Sequence, residues 1–252
     1  MWLAKLKAFS IHFIATALLA ALAAYLVFNL WFPHPFAEMM GGIKLFVLVV
    51  ACDLALGPLM SLVIYNPNKR RNELLTDYAV VITLQIAALA YGLHTVGQAR
   101  IAFLVFTVDR YVVVSAGELP KSERKKALQP EWRGVDWVGY HTVFVQQVAD
   151  PSANYQLIMS ALGGGRDLQH VVENYRPVAE HLADILQVAK SMESLRSRFP
   201  EQVQAIDAAV VKSAREEQGL LWLPVQAARV FWVAIIDART ALPVAWLNID
   251  SL

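Results

Sequence analysis

Asp53, Gly57 and Ser61 are spaced by four within one of the longest apolar stretches of this chain. On a helix that spacing makes a single small and polar stripe. Gln85, Ala88, Gly92 and Thr95 make a comparable stripe on the next apolar stretch. A charge inside a bilayer is costly and is usually paired or functional. Small residues let membrane helices approach closely, and polar residues bond across the contact. The chemistry on offer is therefore helix docking. Counting about 1.5 Å per residue from the helix ends, Asp53 is expected level with Tyr91 and roughly with Tyr25. Two readings stay open. Asp53 is buried glue within a three-helix unit, or it is a docking point for the membrane helix of another protein. A proton relay would need a second intramembrane acid or base, and none is placed to continue one. Pro58 directly follows Gly57 and predicts a kink, which opens a notch that either reading can use.

Elsewhere the chain offers little chemistry. Gly163-Gly164-Gly165-Arg166-Asp167 lacks the Gly-Lys-Ser/Thr ending of a phosphate loop and reads as a flexible turn into a helix beginning near Asp167. His141, His170 and His181 have no metal-ligand spacing, and His170 with Glu173 supplies two ligands where a zinc site needs three or four. No serine lies in a Gly-x-Ser-x-Gly elbow, and the single cysteine, Cys52, lies in an apolar stretch. No catalytic, cofactor-binding or metal-binding residue is expected. The candidate helix-docking or packing residues are Asp53, Gly57, Pro58, Ser61, Gln85, Tyr91 and Gly92.

The elements that must carry these residues are three apolar runs, 11–32, 43–65 and 78–98, of 22, 23 and 21 residues, with Asp53 their one acid. Roughly 20 apolar helical residues cross a hydrocarbon core about 30 Å thick, so each run is long enough. Ala21-Leu22-Ala23 mimics a signal-peptide cleavage site, but the apolar run continues to Phe32 and is expected to stay as a membrane helix. Lys5 and Lys7 precede the first run, and Lys69, Arg70 and Arg71 separate the second from the third. The loop 33–42 has no Lys or Arg. The positive-inside rule then puts the N-terminus and residues 66–77 in the cytoplasm. Three crossings deliver the remainder to the outer side, which in a Gram-negative cell is the periplasm.

The chain is 57% hydrophobic and 17% charged, and after Gln98 it carries 16 Lys+Arg against 17 Asp+Glu. That near balance argues against a nucleic-acid surface. The tail begins with strand-like text, Phe103–Val108 and Tyr111–Ser115, followed by a charged helix or loop over 120–131. Thr142–Val148 and Tyr155–Met159 read as strands separated by an Asp150-Pro151-Ser152 turn. From Pro177 to Leu195, and again from Val203 to Ala214, the apolar spacing is helical. Arg229–Ile236 and Leu242–Ile249 read as a closing hairpin. The expected architecture is a three-helix transmembrane region, 1–99, and a periplasmic α+β domain, 100–252, with an antiparallel sheet and two or three helices on one face.

The order of the segments carries a resemblance. Asp53-Leu-Ala-Leu-Gly-Pro-Leu-Met-Ser-Leu-Val-Ile-Tyr-Asn-Pro-Asn-Lys is followed by Thr76-Asp77-Tyr78, Leu84–Leu93, Gln98-Ala99-Arg100 and Phe103–Val114. Together they resemble the type IV pilin accessory proteins of the TfpX/TfpZ group, to which FimB-like fimbrial assembly proteins are similar. The resemblance implies an inner-membrane protein that assists pilus assembly, paired with a cognate major pilin and working near other inner-membrane assembly proteins. It implies lipid as surroundings, no cofactor and no catalytic site. Asp53, Gly57, Pro58, Gln85, Tyr91, Gly92 and Arg100 match its motif without having roles stated by it. Two other classes stay open: a ligand-sensing module and a membrane-anchored periplasmic enzyme. The first is disfavoured because residues 1–10 and 66–77 are too short for an output domain, the second because no nucleophile or metal constellation is visible.

Overall fold

Three helices account for most of the first hundred residues in a computed structural model of the protein, which describes residues 2–228 and 230–251. They are α1 (Trp2–Leu26), running on into a π-turn over Val27–Trp31, α3 (Gly42–Ile64) and α4 (Arg71–Gln98), with the single turn α2 (Phe36–Met39) between the first two. All three are long and apolar enough to cross a membrane. α1 and α4 start earlier than their apolar runs, taking in Trp2–Ser10 and Arg71–Asp77. Leu, Lys, Arg and Glu in those segments are good helix formers, so the backbone continues past the apolar text. Leu18, Leu22, Leu56, Val63 and Leu84 point outward and exposed, the pattern of a bundle whose surroundings are apolar. α3 passes through Pro58 without interruption, although proline removes the donor that would meet the Leu54 carbonyl.

The chain divides after Arg100 into two units. The second is built on one eight-stranded sheet: β1 (Ile101–Phe106), β2 (Tyr111–Ser115), β3 (His141–Val145), β4 (Tyr175–Pro177), β5 (Lys190–Ser191), β6 (Leu220–Ala227), β7 (Val230–Asp237) and β8 (Pro243–Leu247). Its order is β4-β3-β1-β2-β6-β7-β8, with β5 paired to β6 beside β2. The expected antiparallel sheet is in fact mixed. β1 and β3 are parallel, as are β2 and β6, while the other pairs are antiparallel. Each parallel pair is joined through a long crossover, which is what parallel pairing requires. β6, which the sequence reading lacked, supplies one of them. Its Pro224 falls between the β5 partners Leu221 and Trp222 and the β2 partners Val225–Ala227, in a gap where a missing N–H breaks no ladder on that side.

Helices also depart from expectation. Among the described residues of this unit, five α-helical segments stand: α5 (Lys121–Arg124), α6 (Pro151–Leu162), α7 (Leu182–Val188), α8 (Met192–Arg198) and α9 (Val203–Lys212). Tyr155–Met159 is helix, not strand. The Asp150 carboxylate accepts from the Ser152 and Ala153 backbone N–H groups and Pro151 holds the first turn, so the supposed turn signal is an N-cap. The helix expected from Pro177 is broken at Ala189. There Lys190 and Ser191 pair with Trp222 and Leu221 as β5, and the Ser191 hydroxyl caps α8 through Ser194 N at 3.2 Å. Strand pairing and a cap overrule an unbroken apolar period. Asp167 caps only a one-turn 3₁₀ helix, Leu168–His170, after the glycine turn. The closing hairpin is present as β7 and β8, although Arg229, its expected first residue, lies outside the described residues.

Among the described residues, apolar clusters pack along one face of the sheet. One gathers Phe103, Val105, Val112, Val143, Tyr175 and Trp132. The other gathers Trp222, Val233 and Ile235 with Met192 and Leu195 of α8 and Ile206 of α9. Trp222 donates to Ser194 Oγ at 3.0 Å, so its buried N–H is satisfied. Ile235→Ala is expected to destabilise the folded protein by about 2–5 kcal/mol, whereas Val211→Ala, at an exposed position of α9, should stay within about 0.5 kcal/mol. Denaturant unfolding of the full chain in detergent micelles, followed by tryptophan fluorescence, checks both.

Candidate functional site

The polar stripe of α3 meets α4 and, less expectedly, α1. His12, three turns into α1, places Nδ1 2.5 Å from the Ser61 hydroxyl and Nε2 2.7 Å from Gln85 Oε1. An amide oxygen only accepts, so Nε2–H donates to Gln85, while Nδ1 and the Ser61 hydroxyl share the second bond. The amide nitrogen of Gln85 donates in turn to the Asp53 carbonyl at 3.5 Å. One imidazole thus ties three helices together. Ser61 is fully buried at this junction, and Tyr78 stands beside the imidazole with ring centroids 6.3 Å apart.

Glycine makes this geometry accessible. A Cβ on Gly57 would lie 1.8 Å from Gln85 Nε2, so any side chain there displaces the amide. One helical turn or more further along, a Cβ on Gly92 would lie 2.5 Å from Val49 Cγ1, the second close approach of α3 and α4. The buried row of α4 is Val81, Leu89, Gly92 and Val96 with Gln85 half-buried, whereas Ala88 and Thr95 of the expected stripe face outward. Tyr91 is 76% exposed and takes no part in the junction. Pro58 is buried on the α3 face that carries Gly57. Of the candidate residues, then, Asp53, Gly57, Ser61 and Gln85 come together, Gly92 marks a separate contact, and Tyr91 stands apart. Asp53 is level with Gln85 and not with Tyr91, because α4 begins seven residues before its apolar run.

Beside the junction, an open groove of about 680 Å³ runs between α1 and α4. Ala4, Ala8, Ile11, Ala15 and Leu19 form its α1 wall, at the spacing of one helix face. Ile82 and Ile86 form the α4 wall. His12, Thr16, Asp53 and Gln85 supply the polar part of the lining, and Lys7, Tyr65 and Tyr78 also border it. From Ala4 to Leu19 the wall extends about 22 Å at 1.5 Å per residue. An apolar trough of that length with polar groups at mid-depth suits a second helix. Sequence reasoning missed His12, whose imidazole is the second titratable group it sought in this region. The signal was available in the position of a lone histidine inside an otherwise uncharged apolar run.

Among the described residues, no group of three or more His, Cys, Asp or Glu is placed to hold a metal ion. In the second unit, a smaller depression lined by Glu118, Glu123, Gly165, Arg166 and His170 is crossed by ion pairs from Arg166 to Glu173 at 3.0 Å and to Glu123 at 3.4 Å. Burial there lowers the basicity of the His170 imidazole. The same unit exposes Tyr155, Ile158, Met159 and Leu162, one apolar face of α6, and α6 has no buried residue.

Comparison with known proteins gives this architecture a family. The chain is 30% identical over 247 residues to a fimbrial assembly protein of serogroup I from Dichelobacter nodosus, an alignment covering 97% of this chain and 95% of the relative. The chain belongs to the fimbrial assembly protein family. A serogroup E1 relative from the same organism is 28% identical over the same shares of both chains. One from serogroups C1 and C2 is 36% identical over 121 residues, 48% of this chain and 92% of that protein. The family described as fimbrial assembly protein FimB matches residues 1–41, a span that takes in all of α1 and therefore His12. No solved structure matches.

For this fimbrial assembly protein, Gly57→Ala is expected to cost about 1–3 kcal/mol of helix-bundle stability, the range for overpacking. Gln85→Ala removes the atom that the new methyl would strike, so the double variant should lose less than the sum of the single changes. A double-mutant cycle on thermal unfolding in micelles measures that coupling, and strict additivity would show that the two residues do not touch.

Proposed function

We propose that this protein is a bacterial inner-membrane accessory protein, a chaperone that assists assembly of a type IV pilus by holding a major pilin before it is incorporated. The pilin's hydrophobic helix lies in the α1/α4 groove, with the polar groups of His12, Thr16, Asp53 and Gln85 at mid-depth. The pilin head is recognised by the second unit, for which the apolar face of α6 is the exposed surface. Following the distribution of Lys and Arg, the N-terminus and residues 66–77 are cytoplasmic and the second unit is periplasmic. The protein's role is binding, with no chemical step.

The observation that carries this reading is the groove. Its α1 wall has the repeat of a helix face over roughly 22 Å, and its lining combines aliphatic side chains with groups able to hydrogen-bond in lipid, the two features that drive association between membrane helices. Family membership supplies the process, since the relatives are named for fimbrial assembly.

Photocrosslinking in living cells tests the proposal. Probes at Ile11 and Ile86, on the two walls of the groove, should capture the major pilin, and so should a probe at Tyr155. A probe at Tyr91, exposed but not part of the groove lining, should not. Deleting the protein should lower surface piliation several-fold while leaving the pilin in the membrane. Normal piliation in the deletion strain, or pilin captured equally well from Tyr91, would overturn the proposal.

A further inference from the structure

The topology of the sheet brings one exposed apolar and aromatic segment to the end at which the chain arrives from α4. β1 begins at Ile101, and only Ala99 and Arg100 separate it from the last residue of α4. β2 runs antiparallel to β1, so its last residue, Ser115, lies opposite Ile101. β3 runs parallel to β1 with His141 opposite Phe103, so β3 also begins at that end. The connection 116–140 therefore leaves the sheet and re-enters it at the end where β1 starts. Three steps of chain from Gln98 to Ile101 reach at most about 11 Å. The interfacial layer on each side of a bilayer core is about 5–8 Å deep. If α4 spans the bilayer as proposed above, the start of β1 lies within reach of the lipid surface.

Within the connection, Leu119, Ala127 and Trp132 are buried in the core beneath β1 and β3 and anchor it. Arg124 donates to the Leu119 carbonyl, and Arg133 Nε donates to that of Ala127 at 3.0 Å. On this fixed scaffold Leu128, Trp137 and Val138 are 58%, 65% and 56% exposed. Lys121 and Lys125 are exposed as well. At the opposite end of β1 the turn to β2 exposes Val108 next to the Asp109–Arg110 ion pair at 2.8 Å, a wet surface. Tryptophan with aliphatic neighbours and lysines is the composition of a membrane–water interface anchor.

We propose that residues 116–140 form such an anchor: Leu128, Trp137 and Val138 enter the boundary between lipid headgroups and acyl chains, and Lys121 and Lys125 meet lipid phosphates. The anchor rests on the reading of α4 as a membrane span, and it would limit how far the second unit can swing from the bilayer.

The test uses the full chain with Cys52→Ser, carrying one spin-labelled cysteine and reconstituted in vesicles of phosphatidylethanolamine and phosphatidylglycerol. A label from Val138→Cys should show a several-fold higher ratio of oxygen to nickel-chelate accessibility than one from Val211→Cys on the exposed face of α9. Trp137→Asp should abolish that difference. A Leu18→Cys label on α1 must report the lipid core, and its failure to do so would reject the spanning reading itself. A Val138 label as open to the nickel chelate as Val211 would overturn the anchor. So would one shielded from both reagents, which indicates contact with protein. Neither of those results would disturb pilin capture at Ile11 and Ile86, so the two proposals fail separately.

Discussion

A single imidazole holds the helical unit together. His12 bonds the Ser61 hydroxyl and donates to Gln85, and Gln85 reaches on to the Asp53 carbonyl, so groups from all three long helices satisfy one another. In lipid the alternative to such a bond is an unpaired polar group, because no water stands ready to replace a lost partner. Measured gains for interhelical hydrogen bonds are modest, about 0.6–2 kcal/mol each. Leaving a buried donor or acceptor unpaired costs about 1–3 kcal/mol. The penalty for misplacement exceeds the gain from placement. The junction therefore acts less as a source of stability than as a selector of register among helices whose apolar surfaces are otherwise interchangeable.

The same constraint explains the small residues around it. For Gln85 to reach past α3, the backbone of α3 must present nothing at position 57, and glycine meets that demand. Pro58 in the next position removes one intrahelical donor just where α3 is most crowded. The α1/α4 groove opens directly beside this polar junction, and His12, Asp53 and Gln85 form part of its lining. A groove whose walls were held only by aliphatic packing could close by sliding. One bridged by His12 and Gln85 keeps its depth.

Much of this architecture was legible in the sequence, and the parts that were not have physical causes. The three apolar helices stood out because a run of roughly twenty apolar residues matches the thickness of a bilayer core and little else. β1, β2 and the closing hairpin stood out because their β-branched runs are interrupted by turn residues. Asp53, Gly57, Ser61 and Gln85 were singled out on spacing alone, yet their partner His12 was not. It lies one residue inside its apolar run, at the edge of the text that was read, whereas the helix starts at Trp2 and carries it inward. Tyr91 was placed beside Asp53 by counting from the apolar boundary of α4, and the true helix start shifts that count by two turns. In the second unit the errors share one origin. Local text was read locally, while Lys190-Ser191 becomes a strand only because Trp222 and Leu221 lie beside it. β6, with a proline in its middle, is a strand only because β7 on one side and β2 and β5 on the other complete its bonding.

The mixed sheet follows from the same long-range logic. A tail with strands at both ends of its sequence could fold them as two separate hairpins, each with exposed edges prone to unwanted pairing. Placing β6 parallel to β2 instead fuses the hairpin β1–β2 with the hairpin β6–β7, so that both become interior to one sheet. The remaining edges are short: β4 has three residues and β8 has five. Fusion also buries β1 along its whole length, which is why Ile101–Phe106 carries no polar residue. A strand buried from its first residue fixes where the chain enters the sheet. The segment that returns to that end, 116–140, must then arrange its own apolar residues within whatever medium surrounds the entry point. Some are drawn into the core, and the rest are left facing outward on a rigid base.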